Sequence, residues 1–421
     1  MKRFSNRFTA LFLLLILLCS FSSCSSQLAT PESVAEETAT QALAETKAPE
    51  PVAADQTFLC ADDSVLSTYK RRSMEDFETA CAHFEKKGFA LYSSLENSGI
   101  SAKTYTKGSA LAHLYYHPVN KELNLVQSQT ASDTLPPAIP AESGGTVPCT
   151  VTQLNQHPIE FNGMGYVIQL TDGSFIVYDG GYTDSAEELL DTLTDQADGE
   201  KPVIRAWVLT HLHGDHTQVL RALSARKNVA ELFTLEHVIY SPVPLNNPGV
   251  DEAKEENAKK LSSIRKAVAK IPGARLVYAH TGMNFTFCNL AMEILYTPES
   301  LFRNLRTPEP FNNSSILSRL KGEKGSMLFT GDIDTVGANL SLRLYGDALS
   351  SDMVQMAHHG LNGPLAFYET VGAHTLWYPC SASFYEYGSN KPMRNALANS
   401  PVTREIIIAG NGRATRPFPG N

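Results

Sequence analysis

The sequence predicts an α/β protein, of α+β character in its smaller part, with two sheets and helices outside them. Three observations point there. From Val147 onward, short β-type runs alternate with amphipathic helical stretches. The length of 421 residues suits one large domain plus a minor one. A Pro-rich stretch at 132–140 separates this alternating part from a region at 56–140 that carries its own small pattern.

The chain opens with Lys2, Arg3 and Arg7 ahead of an apolar run at 11–18 and then small residues. That order predicts a secretory signal over 1–23, because the apolar core is too short to cross a bilayer. Phe21-Ser22-Ser23-Cys24 resembles a bacterial lipoprotein cleavage box, although Leu usually stands where this chain has Phe21. The resemblance implies that Cys24 becomes a lipidated first residue, anchoring the protein to the cell membrane outside the cytoplasm. Plain cleavage near the same place is the alternative. Residues 24–55 are rich in Ser, Ala, Thr, Pro and Glu, with too little apolar surface to offset ordering entropy, and predict a disordered tether.

In the 56–140 region, Ser73 can cap a helix whose apolar face is Phe77, Ala80, Cys81 and Phe84, with Gly88 ending it. β-type runs follow at 89–92, 104–106, 111–116 and 123–126. His113 and His117 stand in these runs without ligand types nearby in sequence, so packing roles are expected. A substrate-facing lobe and a spacer fit this small domain equally. The large domain is expected over 145–421. Its first strands fall at 151–154, 166–170 and 175–178, with Thr171-Asp172-Gly173-Ser174 as a hairpin turn. A helix at 187–193, a strand at 203–209, a helix at 217–223 and a strand at 238–240 come next. A long amphipathic helix over 251–271 follows, with Leu261, Ile264, Val268 and Ile271 on one side. Its cations are interleaved with Glu, which reads as a solvated face. Later strands are expected at 315–320, 327–330, 375–378, 405–408 and 415–418.

The formal net charge of −9 becomes more negative once Lys2, Arg3 and Arg7 are removed. Such a chain is a poor general binder of phosphate backbones, so nucleic acid is not the favoured partner; a small molecule or an envelope polymer is. Of the seven cysteines, Cys19 is expected to leave with the leader, and the resemblance to a lipoprotein box implies that Cys24 carries lipid. Cys60, Cys81, Cys149, Cys288 and Cys380 are scattered and read as small core residues, with Cys60–Cys81 the one candidate bridge.

The densest chemistry lies in Leu209-Thr210-His211-Leu212-His213-Gly214-Asp215-His216, where three of the chain's 12 histidines fall within six residues beside an aspartate. Imidazole and carboxylate suit a borderline metal such as zinc. A strand cannot aim all three rings at one centre, since alternate side chains leave by opposite faces. A strand that stops at Thr210 and turns through Gly214 into a helix can. His211 and His213 would then hold one ion, and Asp215 and His216 a neighbour.

This His-x-His-x-Asp-His run after a buried strand resembles the signature of the metallo-β-lactamase-fold hydrolases. Phe175-Ile176-Val177-Tyr178-Asp179-Gly180-Gly181 resembles that superfamily's first motif, Met327-Leu328-Phe329-Thr330-Gly331-Asp332 its bridging-aspartate strand, and Val354-Gln355-Met356-Ala357-His358-His359-Gly360 its late histidine corner. The resemblance spans roughly 145–421 and implies a four-layer αββα fold. It also implies one or two divalent ions, zinc foremost, with manganese or iron as alternatives. Two such ions about 3.5–4 Å apart can generate a hydroxide nucleophile and clamp a phosphoryl or carbonyl oxygen. Asp332 would bridge them, Asp215 would fix the water and accept its proton, and Asp179 would set a histidine tautomer. His358, the first residue after the apolar run, is the expected ligand. His359 is expected to hydrogen-bond the substrate or a ligand carboxylate.

One family feature is missing: no histidine lies in 296–315, where many members carry one. Asn312-Asn313-Ser314 there, followed later by His-His-Gly, resembles the ComEC-type branch. This leaves the first ion with two histidines plus water or an Asn oxygen, or leaves Asn313 to contact the substrate. The resulting expectation is an exported, membrane-anchored hydrolase of phosphodiester-type bonds. A β-lactamase or lactonase is the alternative enzyme, and a non-catalytic envelope lipoprotein with a degenerate metal site is the alternative outside enzymes.

Overall fold

The structure, a computed structural model, describes residues 53–96, 98–140, 145–155, 163–243, 254–301 and 311–419. The leader, Cys24 and the expected tether through residue 52 lie outside these, as do 251–253 at the start of the expected long helix.

The described part begins with an antiparallel sheet. Its strands are β1 (Gln56–Leu59), β2 (Val65–Lys70), β3 (Ala90–Leu95), β4 (Ser101–Lys107), β5 (Ala110–His117) and β6 (Glu122–Ser128), in the order β1-β2-β6-β5-β4-β3. Helix α1 (Met74–Lys86) starts at Ser73, whose hydroxyl accepts from Asp76 N while the Asp76 carboxylate accepts from Ser73 N. This reciprocal cap satisfies two backbone donors that the first turn would leave open. The buried face of α1 is Phe77, Ala80, Cys81 and Phe84, packed on Tyr105, Leu114 and Leu125 of the sheet. Cys60 and Cys81 are buried thiols and form no disulfide.

From residue 150, eight elements in turn begin a seven-stranded sheet, which two later strands complete, and its outer helices. They are β7 (Thr150–Gln153), β8 (Gly165–Gln169), β9 (Phe175–Asp179), α2 (Ala186–Gln196), β10 (Val203–Val208), α3 (Gly214–Ser224), the short α4 (Val229–Leu232) and β11 (Thr234–Tyr240). Helix α5 (Lys254–Val268) and β12 (Arg275–Tyr278) complete the run. A second sheet follows, formed by β13 (Asn284–Phe287), β14 (Leu290–Tyr296), β15 (Leu317–Lys321), β16 (Ser326–Phe329), β17 (Met353–Gln355), β18 (Thr375–Tyr378) and β19 (Glu405–Ile408). Helices α6 (Thr335–Tyr345), α7 (Leu365–Val371), α8 (Ala382–Tyr387) and α9 (Lys391–Ala398) intervene, and β20 (Ala414–Pro417) ends the series. The first sheet runs β12-β11-β10-β9-β8-β7-β20 and the second β13-β14-β15-β16-β17-β18-β19.

Strands β9, β10, β11 and β12 are mutually parallel, and so are β16, β17, β18 and β19. Parallel strands need helical crossovers, and those helices cover the sheet's outer face. That is why β9, Phe-Ile-Val-Tyr-Asp, is buried at every position. Between the sheets lies a core that includes Ile168, Ile176, Val208, Met292, Phe329 and Trp377. Outside the first sheet, α2, α3 and α5 bury Leu189, Val219, Leu220, Leu261 and Ile264 against Trp207 and Val238. Outside the second, Ala338, Leu344, Phe367 and Val371 share one cluster with Leu66, Ala102 and Tyr115 of the amino-terminal sheet. Helices therefore flank two packed sheets in four layers. Tyr178 and Phe329 stack face to face across the interior, with centroids 3.8 Å apart, and the Tyr178 hydroxyl meets Ser318 Oγ at 2.9 Å.

The described residues form one compact unit. Arg319 is a main tie within it. Its guanidinium donates to Glu293 Oε2 at 2.5 and 2.8 Å, to the Ala348 carbonyl at 2.6 Å and to Ser98 Oγ at 3.0 Å. Both charged partners are buried. Removing one partner strands the other in a medium that solvates charge poorly. Arg319→Ala is therefore expected to cost about 3–5 kcal/mol. Urea unfolding checks this, and an unchanged midpoint would contradict the role.

Candidate metal centre

The four motifs meet at the carboxyl ends of parallel strands from both sheets, where open α/β sheets place their ligands. Strand β9 ends on Asp179, a non-glycine residue at φ 55° and fully buried. Its Oδ1 accepts from Thr210 N, and its Oδ2 from the Thr210 hydroxyl and from His216 Nδ1, each at 2.8 Å. The proton on His216 Nδ1 leaves Nε2 as the atom facing the centre, as expected of a carboxylate that orients a ligand histidine. Burial raises the Asp179 carboxyl above its ordinary range, while His216 and Thr210 oppose that rise.

After β10 the chain turns through 209–213 and enters α3 at Gly214, with His213 at the cap position. This is the strand–turn–helix that the sequence predicts. It places His211 Nε2 3.0 Å from His213 Nδ1 and 3.8 Å from Asp332 Oδ2. His216 Nε2 lies 3.1 Å from Asp332 Oδ2 and 3.5 Å from Asp215 Oδ2. From the second sheet, β16 leads to Thr330-Gly331-Asp332. Gly331 has φ 54°, and a Cβ there would come within 2.8 Å of both Ser315 and Thr210. Only glycine lets this corner approach the histidine turn so closely. Ser315 Oγ accepts from Asp332 N at 3.0 Å and fixes the residue.

The two late histidines differ from the expectation. Strand β17 ends at Gln355, and both His358 and His359 have positive φ, 48° and 59°. Strand alternation therefore does not govern their directions. His359 is the buried, inward-facing ring. Its Nδ1 donates to the Pro379 carbonyl at 2.9 Å, and its Nε2 stands 3.0 Å from Asp215 Oδ2 and 3.6 Å from Asp332 Oδ2. His358 lies at the edge, more exposed, with Nε2 3.9 Å from Asp332 Oδ2 and Nδ1 bonded to Asn362. The inner position thus goes to His359 and the rim to His358, the reverse of the sequence preference. Gly360 has φ 85°, and its missing Cβ leaves room for the Tyr378 ring.

Asn313 also needs correction. It is fully buried, and its Oδ1 accepts from Gly337 N at 2.9 Å, which commits that oxygen to the first turn of α6. Its backbone carbonyl accepts from the Tyr296 hydroxyl. The geometry gives it a structural capping role at the start of α6.

Asp215, His216, Asp332 and His359 bring one donor atom each to within 4.8 Å of one another. His216 Nε2 and Asp332 Oδ1 are buried and have no hydrogen-bond partner among the described residues. Buried polar atoms left without a partner where several ligand types converge suit a bound ion. The mixed imidazole and carboxylate set fits a divalent one, with His211 and His213 beside it. The local electrostatics agree. Burial would raise Asp215 and Asp332, but the charge of His216 holds both well below the carboxylate range, with His359 assisting. Burial would lower His216 and His359, yet the surrounding aspartates raise both. Burial lowers His211 and His213.

Sequence reasoning missed Lys260. Its Nζ sits 4.9 Å from the centroid of the Phe311 ring, which in turn lies 5.8 Å from the His213 ring. The Glu256–Lys260 pair at 2.8 Å looks like an ordinary solvated i,i+4 pair. Only the tertiary position of Phe311 distinguishes this lysine from its neighbours.

Residues 159–368 match the family described as the metallo-beta-lactamase superfamily. Among solved structures, the chain is similar to the metallo-beta-lactamase fold protein YhfI from Bacillus subtilis. The identity is 15%, covering 64% of this chain and 100% of that one, with a TM-score of 0.39. It is also similar to unliganded yeast PDE1, at 11% identity, 65% and 99% coverage and a TM-score of 0.38. Zn(2+)-bound PqqB from Methylobacterium extorquens aligns at 9% identity, 64% and 100% coverage and a TM-score of 0.38. No curated protein sequence matches significantly.

The Asp179 contacts generate a prediction. Asp179→Asn preserves shape but replaces an acceptor oxygen with a donor facing Thr210 or His216. It is expected to weaken zinc affinity by about 10–100-fold, read by competition with a chromophoric chelator. Unchanged affinity would remove Asp179 from the centre.

Proposed function

Because this chain carries a metallo-β-lactamase superfamily domain, we propose that it is a metal-dependent hydrolase of phosphodiester-type bonds, exported and anchored to the cell membrane through Cys24. The observation that carries the catalytic reading is the convergence of Asp215, His216, Asp332 and His359, which bring donor atoms from both sheets to within 4.8 Å of one another. A divalent ion bound there supplies Lewis acidity, acidifying water and neutralising charge that builds on a phosphoryl oxygen.

The chain's own groups supply the rest. Asp332, buried and fixed through its backbone by Ser315, offers a second carboxylate oxygen with no other use. Asp215 is partly accessible and is steadied by His359 Nε2 at 3.0 Å, so it can orient a water and take up its proton. Lys260 at the rim provides a positive charge suited to an anionic ester, and His358 faces the more open side. The Asn-Asn-Ser and His-His-Gly segments, which resemble the ComEC-type branch, favour the phosphodiester over the lactam class. Lys2, Arg3, Arg7, the apolar run and the Phe-Ser-Ser-Cys box support export and lipidation.

With zinc or manganese added, the protein is expected to hydrolyse bis(p-nitrophenyl) phosphate. His216→Ala and Asp332→Ala should each lower kcat/KM by more than the roughly hundredfold typical of an outer-sphere change. Full turnover in both variants, or none in the metal-loaded wild type, would refute the reading, and faster turnover of nitrocefin would move the substrate class to lactams. For localisation, Cys24→Ser should shift the protein from the membrane to the soluble fraction on cell fractionation. An unchanged distribution would exclude the anchor.

A further inference from the structure

A second group of residues of metal-ligating types, Cys60, His280 and Glu299, lies where the β1–β2 hairpin meets the ends of β12 and β14. The hairpin loop runs Cys60-Ala61-Asp62-Asp63-Ser64. Cys60 N donates to the Ser64 carbonyl at 2.9 Å, and Ser64 N and Oγ both donate to Asp62 Oδ1, at 3.1 and 2.6 Å. The loop is held from outside by Arg265 of α5, which donates to the Ala61 carbonyl at 2.6 Å. These bonds fix Cys60 and Asp62 and leave Asp62 Oδ2 as the carboxylate's spare atom. It is buried and unpartnered among the described residues.

Opposite the loop stand His280, just after β12, and Glu299, in the turn after β14. His280 Nδ1 bonds to Glu299 Oε1, and Glu299 Oε2 accepts from the Tyr115 hydroxyl at 3.2 Å and from Thr281 N at 3.3 Å. Glu299 is thereby committed on both oxygens, and the His280 ring is fixed with Nε2 pointing away from it. His280 is 1% exposed, yet Nε2 has no hydrogen-bond partner among the described residues. It faces Asp62 Oδ2 at 3.9 Å, too far for a hydrogen bond. Cys60 is 3% exposed, and Cys60, His280 and Glu299 each place a donor atom within 4.8 Å of the other two, with Asp62 adjoining this group through His280 Nε2.

An ordinary buried ion pair does not account for this arrangement. A His–Glu pair uses one ring nitrogen and leaves the other unexplained, although buried polar atoms are almost always satisfied. Two carboxylates and a thiol also gather around the His280 imidazole, with no Lys or Arg ion-paired to these carboxylates among the described residues. Tetrahedral zinc holds nitrogen and oxygen donors about 3.3 Å apart, so the observed 3.9 Å closes with a small inward movement. A histidine that ligates through one nitrogen while its other nitrogen is held by a carboxylate is the usual outer support of such ions.

We propose that Cys60, Asp62 and His280, with Glu299 holding the imidazole, bind a thiolate-compatible divalent ion of the zinc class that fastens the amino-terminal hairpin to the large domain. This ion is separate from those of the catalytic centre and does not depend on the hydrolase reading. Its signature is sulfur, because the Asp215–His216–Asp332–His359 group contains none.

The test strips the full chain with chelator, reloads it with cobalt(II) and records the near-ultraviolet spectrum. A thiolate-to-cobalt charge-transfer band is expected in the wild type and in Asp332→Asn, and is expected to vanish in Cys60→Ser and His280→Gln. Bound metal, measured by elemental analysis, should fall by about one equivalent in the last two. Zinc-edge absorption of the unmutated protein serves if those variants fail to fold, with a sulfur shell near about 2.3 Å expected. Absence of both the band and the sulfur shell in the wild type would overturn the proposal, as would a band that survives Cys60→Ser.

Discussion

The geometry of the candidate metal centre depends on one buried carboxylate. Burying Asp179 costs several kcal/mol unless its oxygens are well matched, and here three donors match them: the Thr210 amide, the Thr210 hydroxyl and His216 Nδ1. Its carbonyl accepts from Trp207 Nε1. A single residue thus ties the end of β9 to the end of β10 and to the first turn of α3. The direction of His216 is settled before any ligand arrives. The left-handed backbone at Asp179 is the strain that places these atoms, and the surrounding core holds it there.

The second sheet solves the same problem with different chemistry. Gln355 Oε1 accepts from Thr330 N, and Gln355 Nε2 donates to the Gly331 carbonyl, locking the corner that carries Asp332. His358 and His359 sit on two consecutive left-handed residues, which turn one ring into the interior and leave the other at its rim. Tyr178 and Phe329 stack one residue before Asp179 and three before Asp332, so the two corners are registered through the core between them.

Much of this was legible because it is local. The spacing of His211, His213, Asp215 and His216, the strand ahead of them and the Ser73 cap are all set within a few residues, and the structure repeats them. Errors came where a local rule met a tertiary exception. The His358 preference assumed a strand that ends at Gln355, before the histidines begin. Asn313 drew attention as a polar residue in a functional position, but its oxygen belongs to a helix start that packing brings across from Gly337. Strands β1, β2, β12, β13 and β14 went unmarked, since short runs such as Gln-Thr-Phe-Leu gain their identity only from neighbours in a sheet. The grouping of Cys60 and Asp62 with His280 and Glu299 joins residues far apart along the chain, and no spacing motif records it.

The pairing of β20 with β7 has a consequence for biogenesis. A polypeptide that emerges amino-terminus first exposes the open backbone edge of β7 until β20 has followed, more than 250 residues later. Such an edge invites pairing with other chains, and contacts between distant segments form slowly. Survival of the nascent molecule therefore rests on how long that edge is shielded, a demand on cellular helpers rather than on the finished metal-ligand cluster.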